Sequence, residues 1–442
     1  MTTKTQVRNR LMDKIKNKTA IVGVIGLGYV GLPLAVEKAK CGYRVIGFDI
    51  QQKRVDWVNQ GVNYIGDVVD DELKELTKNG MIRATTDYSL IQEVDAVAIC
   101  VPTPLDQYQQ PNTSYVEGST KSIAKYLHPD MLVVLESTTY PGTTEEIVKP
   151  ILESTGLKVG KDFYLAYSPE RVDPGNKKYN TKNTPKVVGG VTPACTEVAS
   201  ALYRSVLEGE VHEVSSPAVA EMEKILENTF RNINIGLANE MAILCNKMGI
   251  DVWEVIEAAK TKPYGFMAFY PGPGLGGHCI PVDPFYLTWK AREYNYHTRL
   301  IETSGEINNA MPDFIIERVM RILNHFGKAL NGSHVVVLGA AYKKDIDDVR
   351  ESPIFPILKR LKQYKAQVTV VDPHVKSFVF EGNTIETEEL TPERLKTSDI
   401  ALILTDHSDF DYQMIADTAS VIFDTRNALK SITKIKAYYE KL

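Results

Sequence analysis

Short apolar runs rich in Val and Ile recur through the first part of the chain: 20-AIVGVIG-26, 44-RVIGFD-49, 95-DAVAICVP-102 and 131-MLVVLES-137. Runs that are apolar at every position read as strands buried on both faces of a parallel sheet. Amphipathic segments separate them, and strands alternating with helices predict an α/β doubly wound domain. From about 214 to 262 the pattern changes. The stretch 217-PAVAEMEKILENTFRNINIGLANEMAILCNKMGI-250 has helical periodicity and no strand signal, with Pro217 where helix N-termini favour proline. A helix of that length is expected to be a spine between domains or a dimer interface. Alternation returns in 334-HVVVLGAAY-342, 367-QVTVVDP-373, 400-IALILTDH-407 and 420-SVIFDTRN-427, with a helix predicted over 353–363. The expected division is an α/β domain over 1–213, a central helical domain over 214–325, and a second α/β domain over 326–442.

One segment fits neither pattern. The run 271-PGPGLGGHCIPVDP-284 holds four glycines and four prolines, and neither residue suits a helix or strand interior. Most single cysteines are buried small hydrophobes. Cys279, however, follows Gly276 and Gly277, which favour exposure and close approach. Loop N–H groups there are placed to stabilise an oxyanion at a carbonyl that the thiol attacks. Asp283 lies four residues on. His278, with no partner visible in the sequence, reads as positioning backbone rather than activating the thiol.

The totals narrow the field. A net charge of −5 over 442 residues gives no electrostatic case for nucleic acid. The basic stretch 4-KTQVRNRLMDKIKNK-18 reads as a solvated N-terminal helix. No apolar run approaches the ~20 residues of a membrane span and no signal-peptide pattern opens the chain, so a cytoplasmic protein without a membrane partner is expected. Five scattered cysteines without CxxC spacing point to reduced thiols and no structural metal.

Directly after the first strand stands 26-GLGYVG-31, the spacing G-x-G-x-x-G. Gly26 permits a tight turn, Gly28 lets backbone approach a pyrophosphate, and Gly31 lets helix and strand pack closely. The following helix N-terminus offers N–H groups to phosphates. Asp49 ends the next strand, placed for ribose hydroxyls, with no basic residue directly after it to welcome a 2′-phosphate, so NAD is expected rather than NADP. Arg54 suits either an adenosine contact or a salt bridge. Thr103 in 101-VPTP-104 and Thr138 in 136-ESTTYPG-142 follow strands on the same rim, as cofactor contacts or turn caps. In the second α/β domain 339-GAA-341 lacks the second glycine, and a different nucleotide, or no ligand, is the better reading there.

On the long helix, Glu221, Lys224, Asn228 and Arg231 share a polar stripe, with Met222, Ile225, Leu226, Thr229, Phe230 and Ile233 on the other faces. Such a stripe ordinarily faces solvent, but Asn suits a helix interior poorly unless something uses it. Upstream, 168-SPERVDPG-175 sets Glu170 and Arg171 in a turn after the strand 163-FYLAY-167, either as a ligand site or as a loop ion pair.

Together these pieces resemble the UDP-glucose/GDP-mannose dehydrogenase family over nearly the whole chain after about residue 19. The resemblance rests on GLGYVGLPLA at 26–35, VPTP at 101–104, ESTTYPGTT at 136–144, SPERVDPG at 168–175, EMEKILENTFRN at 221–232, GPGLGGHCIPVDP at 272–284 and AYKKDIDDVRESP at 341–353. It implies oxidation of the C6 alcohol of a nucleotide sugar to a carboxylate, with two NAD per turnover. It implies that Cys279 captures the aldehyde as a thiohemiacetal that becomes a thioester. Lys224 would steady oxyanions and Asn228 would position the sugar. Asp283 would hold the catalytic water with Thr138, and Glu170 would assist proton transfer and thioester hydrolysis. Gly26, Gly28, Tyr29, Val30, Gly31, Asp49, Arg54, Thr103 and Thr138 match cofactor positions, as does Arg350 from the second α/β domain. Glu170, Arg171, Val172, Lys224, Asn228, Arg231, Gly276, Lys343 and Arg426 match positions that hold the nucleotide sugar, whose UDP the second α/β domain binds in the family.

The glucose enzymes read P-E-F-L-x-E where this chain has Pro169-Glu170-Arg171-Val172-Asp173-Pro174. Arg171 and GGHCIPVDP resemble the subgroup acting on N-acetylated sugars. Within it, SPERVDPGN and 61-GVNYIGDVVDDEL-73 resemble the UDP-N-acetylglucosamine 6-dehydrogenases more than the mannosamine enzymes, which are the alternative. The expectation is a homodimer through the central helix that acts on a UDP-N-acetylhexosamine and supplies surface polysaccharide (capsule or O-antigen). A nucleotide-sugar sensor that has lost catalysis is the competing class. The joint presence of Cys279, Lys224, Asn228, Asp283, Glu170 and Thr138 speaks against it.

Overall fold

The computed structural model describes residues 10–66, 68–106, 108–173, 176 and 178–442. Lys4 and Arg8 of the basic stretch, and Pro174 and Gly175 of the 168–175 turn, lie outside the described residues. The chain forms two compact units, Met1–Glu227 with Trp289–Asn295, and Asn228–Thr288 with Tyr296–Leu442.

The first unit is built on strands β1 (Ile21–Ile25), β2 (Arg44–Phe48), β3 (Ile82–Thr85), β4 (Ala96–Ile99), β5 (Leu132–Leu135), β6 (Tyr164–Tyr167), β7 (Lys186–Gly190) and β8 (Val211–Val214). Among the described residues they form one sheet in the order β3-β2-β1-β4-β5-β6-β7-β8. The first six run parallel in the dinucleotide-binding order. The seventh, β7, turns antiparallel to β6, pairing Ala166 with Gly190 and Tyr167 with Gly189. Strands β4, β5 and β6 are buried at every position, which is why their sequences are apolar throughout. The strands that apolar runs did not reveal include β3 and β8, where exposed and buried positions mix. Helix α1 (Gly31–Lys40) follows β1. The basic N-terminal segment is helical over residues 10–16 but is not simply solvated: Leu11 and Ile15 are buried and Lys14 pairs with Asp95.

The long helix α2 (Pro217–Met248) is continuous over 32 residues, and its first turns count with the first unit. Along its first half the buried face is mixed, with Ile225 and Ala220 buried beside polar residues, against the ordinary expectation of a solvated polar stripe. Glu221, Lys224 and Asn228 are buried, while Met222, Leu226, Phe230, Leu237, Leu244 and Met248 are exposed, Leu226 at 64%. The buried polar row continues through Asn232, not Arg231, which is exposed.

In the second unit the Gly/Pro run is irregular until α3 (Asp283–Ala291) begins at its end; the last residues of α3, from Trp289, count with the first unit, and α4 (Arg299–His325) belongs to the second. Strands β9 (His334–Leu338) and β10 (Gln367–Val371), the hairpin of β11 (Ser377–Phe380) and β12 (Asn383–Glu386), then β13 (Ile400–Ile403), β14 (Val421–Asp424) and β15 (Tyr438–Lys441) complete it. Five of these form a parallel sheet in the order β10-β9-β13-β14-β15 among the described residues. This is the other common doubly wound order, with its crevice where the order reverses at β9. A helix over Ile354–Gln363 stands where it was expected. Among the described residues no helix is long and apolar enough to cross a membrane.

Candidate active site

The glycine loop fits a dinucleotide pyrophosphate. Gly26 sits at φ +90°, and a Cβ there would come within 2.5 Å of the Cys100 carbonyl oxygen. A Cβ on Gly31 would lie 1.8 Å from the Gly26 oxygen, so only glycine lets α1 pack on β1. Beside Gly28 there is open space within 4 Å, as close approach by a ligand requires. Val30 stands at the N-terminal boundary of α1, with no side-chain cap, and Tyr29 is 43% exposed beside it. Asp49 does more than the sequence suggested. Its Oδ2 accepts the Leu27 N–H at 2.9 Å, bracing the glycine loop, and its Oδ1 accepts the Gln51 N–H. Arg54 reaches the same carboxylate at 3.4 Å, so the salt bridge is the arrangement seen. A carboxylate offers about four acceptor sites, which leaves capacity for a ribose hydroxyl.

The two threonine turns are tied together, because the Thr103 hydroxyl donates to the Thr138 carbonyl at 2.7 Å. Glu221 holds the rest of that loop from α2. Its Oε2 accepts the Gly142 N–H at 2.6 Å, and its Oε1 accepts the Thr144 N–H at 2.9 Å and hydroxyl at 2.7 Å. Burial outweighs these bonds and pushes the Glu221 carboxyl up to about 6.

In the turn after β6, Glu170 Oε1 accepts the N–H groups of Arg171 and Val172 at 2.8 and 2.9 Å. Burial opposes its ionisation. Lys186, then those two N–H groups, then Lys224 outweigh burial and hold Glu170 below its usual value, as a carboxylate. Arg171 pairs with Glu227 and, at 3.4 Å, with Glu223, both on α2. Its Nη1 donates to the Pro185 carbonyl at 2.9 Å.

In the second unit, α2 clamps the cysteine loop. Asn239 accepts the Gly272 N–H at 2.9 Å, and Asn232 donates to the Ile280 carbonyl at 3.0 Å. Asn308 and Ser304 on α4 hold both asparagines from behind. None of these four entered the sequence reading, although the rule that singled out Asn228, an asparagine inside a helix, applies equally to Asn232 and Asn239. Asn228 donates to Asp283 Oδ2 at 2.6 Å, and the Asp283 N–H returns to the Cys279 carbonyl at 2.8 Å. Gly276 and Gly277 lie against the Tyr342 side chain, where a Cβ would come within 2.4 and 2.9 Å of it, so their missing side chains serve that packing. The Gly277 N–H donates to the Arg350 carbonyl at 3.0 Å, while the Arg350 side chain is paired with Asp348. Cys279 is exposed, and no disulfide links it to Cys41, Cys100, Cys195 or Cys245. Burial, then Arg350, holds His278 below its usual value, so it is neutral near pH 7 and lends the thiol no positive charge.

The 339–341 turn of the same unit closes on itself. Asp372, at the end of β10, accepts the Ala340 and Ala341 N–H groups at 2.6 and 3.1 Å and faces His407 Nε2 at 3.0 Å. The other ring nitrogen of His407 accepts the Asp345 N–H, which makes Nε2 the protonated one. Burial raises the Asp372 carboxyl, but His407 and the N–H groups outweigh it and bring it to about 2. Lys343 is half-buried, and Arg426 lies just past β14 with its Nε donating to the Leu404 carbonyl and its guanidinium against Gly272.

Comparison with known proteins agrees with this architecture. The UDP-glucose/GDP-mannose dehydrogenase family matches as its NAD binding domain over residues 20–207, its central domain over 218–310 and its UDP binding domain over 336–431. The chain is 38% identical over 421 residues to Protein CapL of Staphylococcus aureus, covering 93% of this chain and 96% of that one. It is 40% identical over 357 residues to a UDP-N-acetyl-D-glucosamine 6-dehydrogenase of Pseudomonas aeruginosa, covering 80% and 83%. The solved structure of a UDP-D-ManNAc dehydrogenase from Pyrococcus horikoshii superposes with a TM-score of 0.87 at 33% identity, over 95% and 98% of the two chains. With fold, fingerprint and all three family domains in agreement, the chain belongs to the UDP-glucose/GDP-mannose dehydrogenase family of NAD-dependent nucleotide-sugar oxidoreductases.

Proposed function

We propose that the protein oxidises the C6 hydroxyl of UDP-N-acetylglucosamine to the uronic acid, with UDP-N-acetylmannosamine as the second reading. The first is supported by the likeness to the Pseudomonas aeruginosa enzyme, the second by the Pyrococcus horikoshii structure. Residues 1–213 hold NAD, 214–325 carry the cysteine loop and the dimer contact, and 326–442 hold UDP. NAD, when bound at the glycine loop and Asp49, supplies the hydride acceptor for both oxidations.

The residues of the chain do the rest. Glu170, held as a carboxylate, accepts the proton released as the alcohol is oxidised. The Cys279 thiolate attacks the resulting aldehyde carbon, and Lys224 lends positive charge to the oxyanion that forms. The covalent bond keeps the aldehyde on the protein until it becomes a thioester. Asp283, with Thr138, holds the water that hydrolyses the thioester, and Asn228 positions both Asp283 and the sugar. Tyr29, Val30, Thr103 and Arg350 serve the cofactor, and Arg171, Val172, Arg231, Gly276, Lys343 and Arg426 the nucleotide sugar. The exposed apolar row on α2, from Met222 to Met248, is where a second copy docks. The setting is the cytoplasm and the product serves surface polysaccharide.

The observation that carries this reading is the Asn228–Asp283 bond beside the exposed, braced Cys279. NADH formation measured by absorbance with UDP-glucose and the UDP-N-acetyl derivatives of glucosamine, galactosamine and mannosamine tests it. Two NADH per UDP-N-acetylglucosamine consumed, with that sugar preferred, is the expected result. Preference for UDP-N-acetylmannosamine selects the second reading, and no NADH from any of the four rejects both.

A further inference from the structure

The first unit contains a buried charge cluster in which Lys186, Lys38 and Tyr203, outside the family motifs, meet Glu136 and Glu170. Glu136 follows β5 and Lys186 begins β7, while Lys38 and Tyr203 come from helices packed on the sheet. Lys186 Nζ lies 2.7 Å from Glu136 Oε2 and 3.4 Å from Glu170 Oε2. Tyr203 donates its hydroxyl to Glu136 Oε1 at 2.5 Å, and Lys38 Nζ stands 3.9 Å from the same oxygen. Side-chain exposure is 6% for Lys186, 0% for Glu136 and 1% for Lys38, against 17% for Glu170. Four charged groups are thus withdrawn from water, an arrangement that costs stability unless each is paired and hydrogen-bonded. Glu170 is the most exposed of the four and stands at one end of the cluster.

The sheet topology explains how Lys186 arrives there. Because β7 runs antiparallel to β6, its first residue lies at the edge where β5 and β6 end. Continuing the Tyr167–Gly189 register three residues outward sets Lys186 opposite Glu170. A parallel β7 would have carried Lys186 to the other edge of the sheet.

We propose that Lys186 is a positioning residue for the reaction: anchored by Glu136, which Tyr203 holds in turn, its ammonium fixes the orientation of the Glu170 carboxylate. This rests on the proposed role of Glu170 in proton transfer. The two N–H bonds to Oε1 hold one oxygen of Glu170, and Lys186 holds the other, so the carboxylate has a single orientation. The same contact keeps Glu170 ionised: burial works against the charge of Lys186, but Glu136 and Glu170 outweigh it and keep the lysine protonated.

The test compares Lys186→Met, Lys186→Arg, Glu170→Gln and the double variant Lys186→Met/Glu170→Gln in steady-state kinetics across pH. Lys186→Met is expected to lower kcat roughly 10- to 100-fold, the scale of a misplaced reacting group. It should leave KM for both substrates within about threefold and move the acidic limb of the kcat profile to higher pH, since Glu170 then protonates more readily. Lys186→Arg keeps the charge and restores most of kcat. In the double variant the Lys186 substitution adds no further loss, as expected of residues acting through one group. An unshifted acidic limb in Lys186→Met, or an equal loss on both backgrounds, overturns the proposal. Full activity in Glu170→Gln overturns the role of Glu170 instead, which separates the two failures. If Lys186→Met does not fold because Glu136 is left unpaired, Lys186→Met/Glu136→Gln removes both charges and must show the same shifted limb.

Discussion

Replacing Glu221 by Gln separates the two things this buried carboxylate does. It accepts three hydrogen bonds from the 142–144 segment, and it carries a charge that burial opposes. In Glu221→Gln the side-chain carbonyl can keep both Thr144 bonds, but the amide then faces the Gly142 N–H donor to donor. One buried N–H loses its partner, at a cost of about 1–3 kcal/mol. The charge works the other way. A carboxyl raised from 4.5 to about 6 in the folded state costs the fold ~2 kcal/mol when ionised, at about 1.4 kcal/mol per pH unit. With the folded value raised, the stability contribution is fully present below pH 4.5 and is lost as pH rises through 6. Glutamine is free of that penalty, so it offsets most of the lost hydrogen bond at pH 8 and none of it at pH 4.5. Thermal unfolding of both proteins at the two pH values reads the difference and cancels every other titration. At roughly 2–4 °C per kcal/mol for a unit of this size, Tm should fall by about 4–8 °C at pH 4.5 and by a few degrees at most at pH 8. An equal loss at both pH values, or a larger one at pH 8, refutes the reasoning.

Other expectations are as direct. Cys279→Ala should cut carboxylate formation by on the order of 10³-fold or more, and a full rate of two NADH per sugar from that variant would exclude the covalent route. NADP should support little turnover beside NAD, because Asp49 repels a 2′-phosphate; comparable rates would sink that assignment. Asp372→Asn should lower stability by about 2 kcal/mol at pH 7, since a carboxyl brought from 3.8 to about 2 contributes above pH 4 and loses that contribution as pH falls toward 2; an unchanged Tm at pH 7 would count against it. If the proposed homodimer forms through the exposed apolar row, Leu226→Glu should halve the mass that light scattering gives for the unaltered protein, and an unchanged mass would count against that interface.

Much of the site was legible because its signals are local. Gly26 is a glycine because its own φ is positive, and Gly31 because an oxygen five residues back lies 1.8 Å from a would-be Cβ. Asn228 stood out because asparagine suits a helix poorly, and its bond to Asp283 accounts for it. The contacts that were not legible involve partners distant in sequence. Arg171 sits in the expected turn, and no local pattern shows that its guanidinium meets Glu227, 56 residues on. Asp372 closes the turn that lacks a second glycine, and no pattern around residue 339 announces a carboxylate at the end of the next strand.

What the sequence determined by itself is the alternation of buried strands with helices, the length of α2 and the glycine cradle. Each follows from period, chirality and steric exclusion within a few residues. The tertiary structure alone decided which face of α2 turns inward, because a helix with polar and apolar stripes takes its orientation from what its neighbours offer. Here Asn308, backbone carbonyls and N–H groups receive the polar stripe, and the apolar row from Met222 and Leu226 to Met248 is left exposed while Ile225 is buried. It also decided that Lys186 meets Glu170, because a register between antiparallel strands brings together residues that no local pattern relates.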